Sequence, residues 1–174
     1  TDEQVLASVI ENNKNKPVKI RSTNGVLVNG VVDVNVRFSR CCSPVPGDEI
    51  VGFITRGRGI SIHRTDCVNV IALPESEKSR LVDVEWQQES FHSNEKFMAE
   101  IKIFCNNRIG IFADISKIFT EREIDIASMS SKTSKQGTAT INMSFEVGGV
   151  DALQQLINRL MAVNSVIDIE RSNG

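Results

Sequence analysis

Three of the four cysteines and one of the two histidines in this chain stand between Cys41 and Cys67. The first run reads Arg40-Cys41-Cys42-Ser43-Pro44-Val45-Pro46-Gly47-Asp48, and His63-Arg64-Thr65-Asp66-Cys67 answers it downstream. Thiolate and imidazole are the ligand types of a tetrahedral zinc site. Three residues separate His63 from Cys67, a common ligand interval, and twenty separate Cys42 from His63, an ordinary loop. The adjacent pair is unusual. Neighbouring side chains of extended backbone point to opposite faces, so Cys41 and Cys42 reach one ion only where the chain turns. Pro44, Pro46 and Gly47 follow at once and are turn formers. The same residues also suit buried thiols used as small hydrophobes, or a vicinal disulfide, although nothing in the sequence indicates an oxidising compartment.

The cluster lies in a segment short of core. Val5, Leu6, Val9 and Ile10 recur at helical spacing and read as the end of a helix, broken by Asn12 to Pro17. Short apolar runs follow at Val18–Ile20, Val26–Val28, Val31–Val36, Ile50–Ile54 and Ile60–His63, punctuated by Asn-Gly and Gly-rich turns. A small strand-rich unit with so thin a core gains stability from a metal staple. Asp66 is expected to cap a short helix ending near Leu73, before Pro74. Residues 75–95 are acidic and read as a join, with Leu81–Trp86 a further strand candidate and His92 without an obvious partner.

The second half is more regular. Phe97, Ala99, Ile101, Ile103 and Cys105 alternate with polar or mixed neighbours, which predicts a strand with one buried face and makes Cys105 a core residue. Ile111, Phe112, Ile115, Ile118 and Phe119 predict an amphipathic helix. Strands follow at Ile124–Thr133 and from Thr138 to Val147, then a helix carrying Val150, Leu153, Leu156, Ile157, Leu160 and Met161, then a last strand at Val166–Ile169. The order βαββαβ is that of a ferredoxin-like sandwich. The fold class is therefore α+β, with a small Cys/His unit over 1–74, a join over 75–95 and a sandwich over 96–174.

Charge and motifs narrow the function. The net charge of −2 excludes a generally basic nucleic-acid binder. Residues 37–64 are the exception, with Arg37, Arg40, Arg56, Arg58 and Arg64 against Asp48 and Glu49, hence +3. Guanidinium forks suit phosphate, whereas chance clustering on a solvated surface explains the same five residues. An RNA-recognition motif shares the βαββαβ order but needs aromatics on its open sheet face. Here that face of the third strand is Thr138, Thr140, Asn142, Ser144 and Glu146, so that reading fails. A self-pairing regulatory module that holds a small ligand remains. The loop Asn106-Asn107-Arg108-Ile109-Gly110 precedes a helix, where N–H groups and the dipole favour an anion; a plain strand-to-helix turn accounts for it equally well. No phosphate loop, nucleophile elbow or His-Glu-x-x-His is present, and four Cys/His ligands would close a zinc site, so the chain reads as non-enzymatic. No apolar run is long enough to cross a bilayer. The start at Thr1 suggests part of a longer protein, without a signal peptide and cytoplasmic.

The run from Arg40 to Cys67 closely resembles the zinc-finger (ribosome-intersubunit) domain of the long RelA/SpoT-type (p)ppGpp synthetases and hydrolases, and residues 97–174 resemble that family's terminal ACT domain. By this resemblance, Cys41, Cys42, His63 and Cys67 fall on the family's Cys/His positions, with zinc as a structural ion. The arginine segment would lie in a domain that contacts ribosomal RNA, and Asn106–Gly110 would correspond to a loop near which some ACT domains bind branched-chain amino acids. A homodimer through the sandwich is a separate expectation. The parent would be a GTP pyrophosphokinase, often also a (p)ppGpp hydrolase, acting in the stringent response. Its catalytic domains would be N-terminal and controlled by this region through the stalled ribosome and uncharged tRNA.

Overall fold

Short β-branched runs divided by glycine and asparagine give strands too brief for one broad sheet, and the first unit holds two small ones. The computed structural model describes residues 20–21, 25–28, 35–87 and 94–174. The expected N-terminal helix end, most of the Val18–Ile20 and Val31–Val36 runs, and His92 lie outside the described residues. In the first sheet β1 (Ile20–Arg21), β2 (Val26–Val28) and β7 (Val84–Trp86) run antiparallel in the order β1-β2-β7. The second contains β3 (Val36–Phe38), β4 (Ile50–Ile54), β5 (Ile60–Arg64) and β6 (Leu81–Val82) in the order β3-β5-β4-β6. Its β3–β5 pair is parallel. Val26, Val28, Val36, Ile60, Ile62 and Val84 form the core between them, as thin as the sequence implies.

Two expectations need correction here. Leu81–Val82 pairs with β4 and Val84–Trp86 with β2, so the acidic stretch to Gln87 completes the first unit instead of joining two units. Apolar Val82 and Val84 outweigh the surrounding acids because each has a strand to pair with and a core to enter. Asp66 is not a helix cap. Cys67 occupies that position, the helix α1 (Val68–Ile71) ends short of Leu73, and the Asp66 carboxylate is bound by Arg64.

The second unit follows the expected order. It comprises β8 (Phe97–Asn106), α2 (Ile111–Glu121), β9 (Ile126–Thr133), β10 (Thr138–Val147), α3 (Val150–Met161) and β11 (Val166–Arg171). The antiparallel sheet has the order β11-β8-β10-β9, with the β8–β10 register pairing Phe97 with Val147 and Asn106 with Thr138. Every second residue of β8 and β10 is buried, and Ile111, Ile115, Ile118, Phe119, Leu153, Leu156 and Leu160 of the helices cover that face. Cys105 is fully buried among them, as its phase requires.

The two units share a core. Val45, from the loop after the paired cysteines, is 0% exposed and packs within the sandwich cluster. Phe38 stacks on Trp86 at 5.5 Å, and both meet Phe97 edge-on at 5.7 and 5.6 Å. The Val150 N–H at the start of α3 donates to the Pro46 carbonyl at 2.8 Å, so the loop caps the helix. That approach requires glycine. A Cβ on Gly149 would lie 2.9 Å from the Pro46 oxygen, and one on Gly47, whose φ is +102°, would lie 3.1 Å from the Val150 Cβ. Val45→Ala removes two buried methyl groups and is expected to cost about 2 kcal/mol. Urea denaturation followed by Trp86 fluorescence would check this; an unchanged midpoint would show that the loop is not part of the shared core.

Candidate metal centre

The paired cysteines face one point because the chain turns at the pair itself. Residues 40–42 form a turn closed by the Ser43 N–H donating to the Ser39 carbonyl at 2.9 Å. Ser43 then adopts a left-handed φ of 45°, which redirects the chain into Pro44. The prolines and Gly47 shape the next loop; they do not make this turn. From β5, His63 enters with Nδ1 toward the thiols. Its Nε2 lies 3.0 Å from Ser39 Oγ and 3.1 Å from Ser61 Oγ, which orients the ring. Cys67, fully buried, is delivered by the turn between β5 and α1.

Among the described residues, Cys41, Cys42, His63 and Cys67 bring their ligand atoms within 4.8 Å of one another. Cys41 Sγ is 3.9 Å from Cys42 Sγ, 3.6 Å from Cys67 Sγ and 3.4 Å from His63 Nδ1. Cys42 Sγ is 3.8 Å from His63 Nδ1. With zinc–sulfur bonds of about 2.3 Å and zinc–nitrogen bonds of about 2.0 Å, a tetrahedron has sulfur–sulfur edges of about 3.8 Å and sulfur–nitrogen edges of about 3.5 Å. The four residues fit the ion. The vicinal disulfide is overturned: all four cysteines are free thiols.

Electrostatics define what a cation would have to displace at this point. Burial, together with the neighbouring Cys41 and Cys67, pushes the Cys42 thiol up to about 12 against the lowering effect of the Arg64 N–H. Burial also raises Cys67 and lowers His63. Without a cation the buried thiols thus hold their protons at neutral pH, while the imidazole is neutral and ready to coordinate. A metal ion must displace thiol protons, so its affinity rises with pH.

Arg64 is a positioning residue that the sequence reading misplaced among surface cations. It is 6% exposed, because its guanidinium makes a bidentate pair with Asp66 at 2.9 and 2.6 Å and donates to the Cys42 carbonyl at 3.2 Å. Burial alone would lower its pKa, but the hydrogen bond and charge of Asp66 outweigh this and raise it. Arg37, Arg40, Arg56 and Arg58 are exposed. Arg56 and Arg58 project from the β4–β5 turn, while Arg40 borders the cysteines at the other end of the sheet. Among the described residues Arg56 makes a long contact, 3.9 Å, with Glu77. The serines behind His63 and the Arg171–Asp48 ion pair, 2.8 Å, have no sequence signal beyond residue type. In the loop Asn106–Gly110 all residues but Arg108 are exposed. Arg108 is committed to Asp114, an acidic residue in the first turn of α2, at 2.7 Å and to the Asn164 carbonyl at 2.9 Å.

Comparison with known families decides the relationship. The RelA/SpoT RIS domain family matches residues 26–87, and the ACT domain family matches residues 93–171. The chain is a RelA/SpoT RIS domain followed by an ACT domain. It is 37% identical over 147 residues to a GTP pyrophosphokinase of Streptomyces coelicolor, covering 84% of this chain and 17% of that protein. For the Escherichia coli K12 GTP pyrophosphokinase the identity is 37% over 150 residues, with 86% and 20% covered. The Haemophilus influenzae GTP pyrophosphokinase is 35% identical over 176 residues, with 98% and 23% covered. The chain thus spans about a fifth of the length of these relatives. Among solved structures, the ACT domain from the GTP pyrophosphokinase of Chlorobium tepidum is similar at 26% identity and a TM-score of 0.40, covering 44% of this chain and 99% of that one. Among the described residues no helix is long and apolar enough to cross a membrane.

One zinc ion per chain is the expected stoichiometry, with affinity rising more than about tenfold per pH unit near neutrality as thiol protons are displaced. Competition against a chromophoric chelator at several pH values measures both. A Cys67→Ser variant that binds zinc as tightly as the parent would eliminate the four-ligand site.

Proposed function

We propose that this RIS–ACT pair is the non-catalytic C-terminal regulatory module of a GTP pyrophosphokinase, and that its RIS domain binds ribosomal RNA. The carrying observation is the closed ligand set. Cys41, Cys42, His63 and Cys67 bring four ligand atoms within 4.8 Å of one another and would fill all four positions of a tetrahedral ion, leaving none for substrate or activated water. Such an ion acts as a staple. It would hold the Arg40 turn and the β5 strand in a unit whose own core, among the described residues, is six buried side chains.

Arg37, Arg40, Arg56 and Arg58 are exposed arginines of that stapled unit. Arginine forks of this kind bind phosphate bidentately, and counterion release makes such binding salt-dependent. In the intact protein, association with the stalled ribosome and uncharged tRNA would change the contact between this module and the catalytic domains. Cytoplasmic pyrophosphate transfer from ATP to GTP or GDP, and any hydrolysis of the product, would be governed from here.

Charge reversal at the β4–β5 turn tests the RNA contact. Arg56→Glu with Arg58→Glu is expected to weaken cosedimentation with ribosomes and to reduce the slope of log affinity against log salt by about two. Unchanged association at physiological salt would sink the proposal.

A further inference from the structure

The last residues of the chain are bound by the residues that hold the metal ligands. Arg171, ending β11, donates from both terminal nitrogens to Asp48 at 2.8 and 2.9 Å, and to the Ser43 carbonyl at 3.3 Å. Asp48 in turn accepts from the Val45 N–H at 2.8 Å, so one carboxylate organises the loop and receives the ACT domain. Next along the tail, the Ser172 carbonyl accepts from Arg64 Nη1 at 3.0 Å. The same nitrogen donates to the carbonyl of Cys42, and the Arg64 main-chain N–H lies 3.3 Å from Cys42 Sγ. Finally, the Asn173 carbonyl accepts from the Val68 N–H at 2.7 Å, immediately after Cys67. Ser172 is also tied back to the ACT sheet, its hydroxyl donating to Glu100 at 3.2 Å.

From these contacts we infer that the tail Ser172–Asn173 is an outer shell of the metal site, so that metal binding and docking of the ACT domain onto the RIS domain are energetically coupled through Arg64. The inference rests on the metal reading of the four-ligand cluster. Its physical basis is the shared donor. Arg64 is buried, and its Nη1 has two carbonyl acceptors, one from a ligand residue and one from the tail. Release of the tail removes one acceptor from a buried guanidinium and leaves the Val68 N–H without its partner at the start of α1. Both changes fall on the backbone that carries Cys42 and Cys67. Conversely, a loop freed from its ion no longer holds the Cys42 carbonyl and the Cys67–Val68 peptide where the tail can meet them. Coupling of this kind is reciprocal: whatever docking adds to metal affinity, the metal adds to docking. The RIS domain would then hold its neighbour in place only while it is loaded.

Zinc affinity and amide exchange, measured on the full 174-residue chain and on a chain ending at Arg171, separate the outcomes. Truncation is expected to lower zinc affinity about tenfold, as loss of an outer-shell partner does, while leaving exchange at Ile103 and Ile141 in the ACT sheet unchanged. Removing zinc from the full chain is expected to speed exchange at the Val68 and Ser172 amides and to spare the same two sheet amides. An Arg64→Met chain is expected to reproduce the truncation, and since Arg64 is buried the truncation decides if that chain fails to fold. Zinc bound with equal affinity by both chains, or Val68 protection that survives zinc removal, would overturn the coupling and leave the metal reading standing. Failure of the full chain to bind zinc would overturn both.

Discussion

The loop from Ser43 to Asp48 is the constraint on which the arrangement of the two domains depends. It leaves the metal cluster at Cys42 and returns to the RIS sheet at β4, and on the way it enters the ACT domain. Val45 becomes part of that domain's core, the Pro46 carbonyl caps α3, and Asp48 receives Arg171. The loop can do this because it is stiff. Proline fixes φ at two of its positions, and Asp48 closes it on the Val45 N–H. An insertion held at both ends loses little chain entropy on docking.

The cluster beside the loop has the opposite character. Three thiols and an imidazole packed together gain little as hydrophobes when Cys41 Sγ lies within 4 Å of both other sulfurs and of the His63 ring nitrogen. Burial raises the Cys42 and Cys67 thiols and lowers the His63 imidazole, which disfavours the charged form of each. A bound metal would reverse that balance, with Cys41, Cys42 and Cys67 as its thiolate ligands. Ser39 and Ser61 behind His63, and Arg64 behind Cys42, fix the ligands' orientation. The site is thus built from residues of both β-strand and turn, and its outer contacts extend to the end of the chain.

Much of this was legible before any coordinates. In the ACT domain the alternation of Ala139, Ile141, Met143, Phe145 and Val147, and the helical spacing from Val150 to Met161, report a two-layer fold because each periodicity corresponds to one buried face. The RIS domain was less readable. Its strands are two to five residues long, so apolar periodicity has no room to repeat, and the acidic stretch containing Val82 and Val84 resembled a linker. Arg64 was misread for a related reason. Composition counts its charge, but only the fold shows that Asp66 and two carbonyls surround it.

The Cys/His cluster, the order of elements in the ACT domain and its buried faces are fixed along the chain, because these follow from side-chain chemistry and from periodicities within a single segment. Tertiary structure alone decided that Cys41 and Cys42 share a face, through a turn closed by Ser39 and a left-handed Ser43. It alone decided that Arg64 holds the cluster while Arg56 and Arg58 face solvent, and that residues 171–173 meet the metal loop. These are long-range contacts, made through backbone carbonyls and single ion pairs. Backbone carbonyls are the same in every residue, so no pattern along the chain encodes which of them will be met.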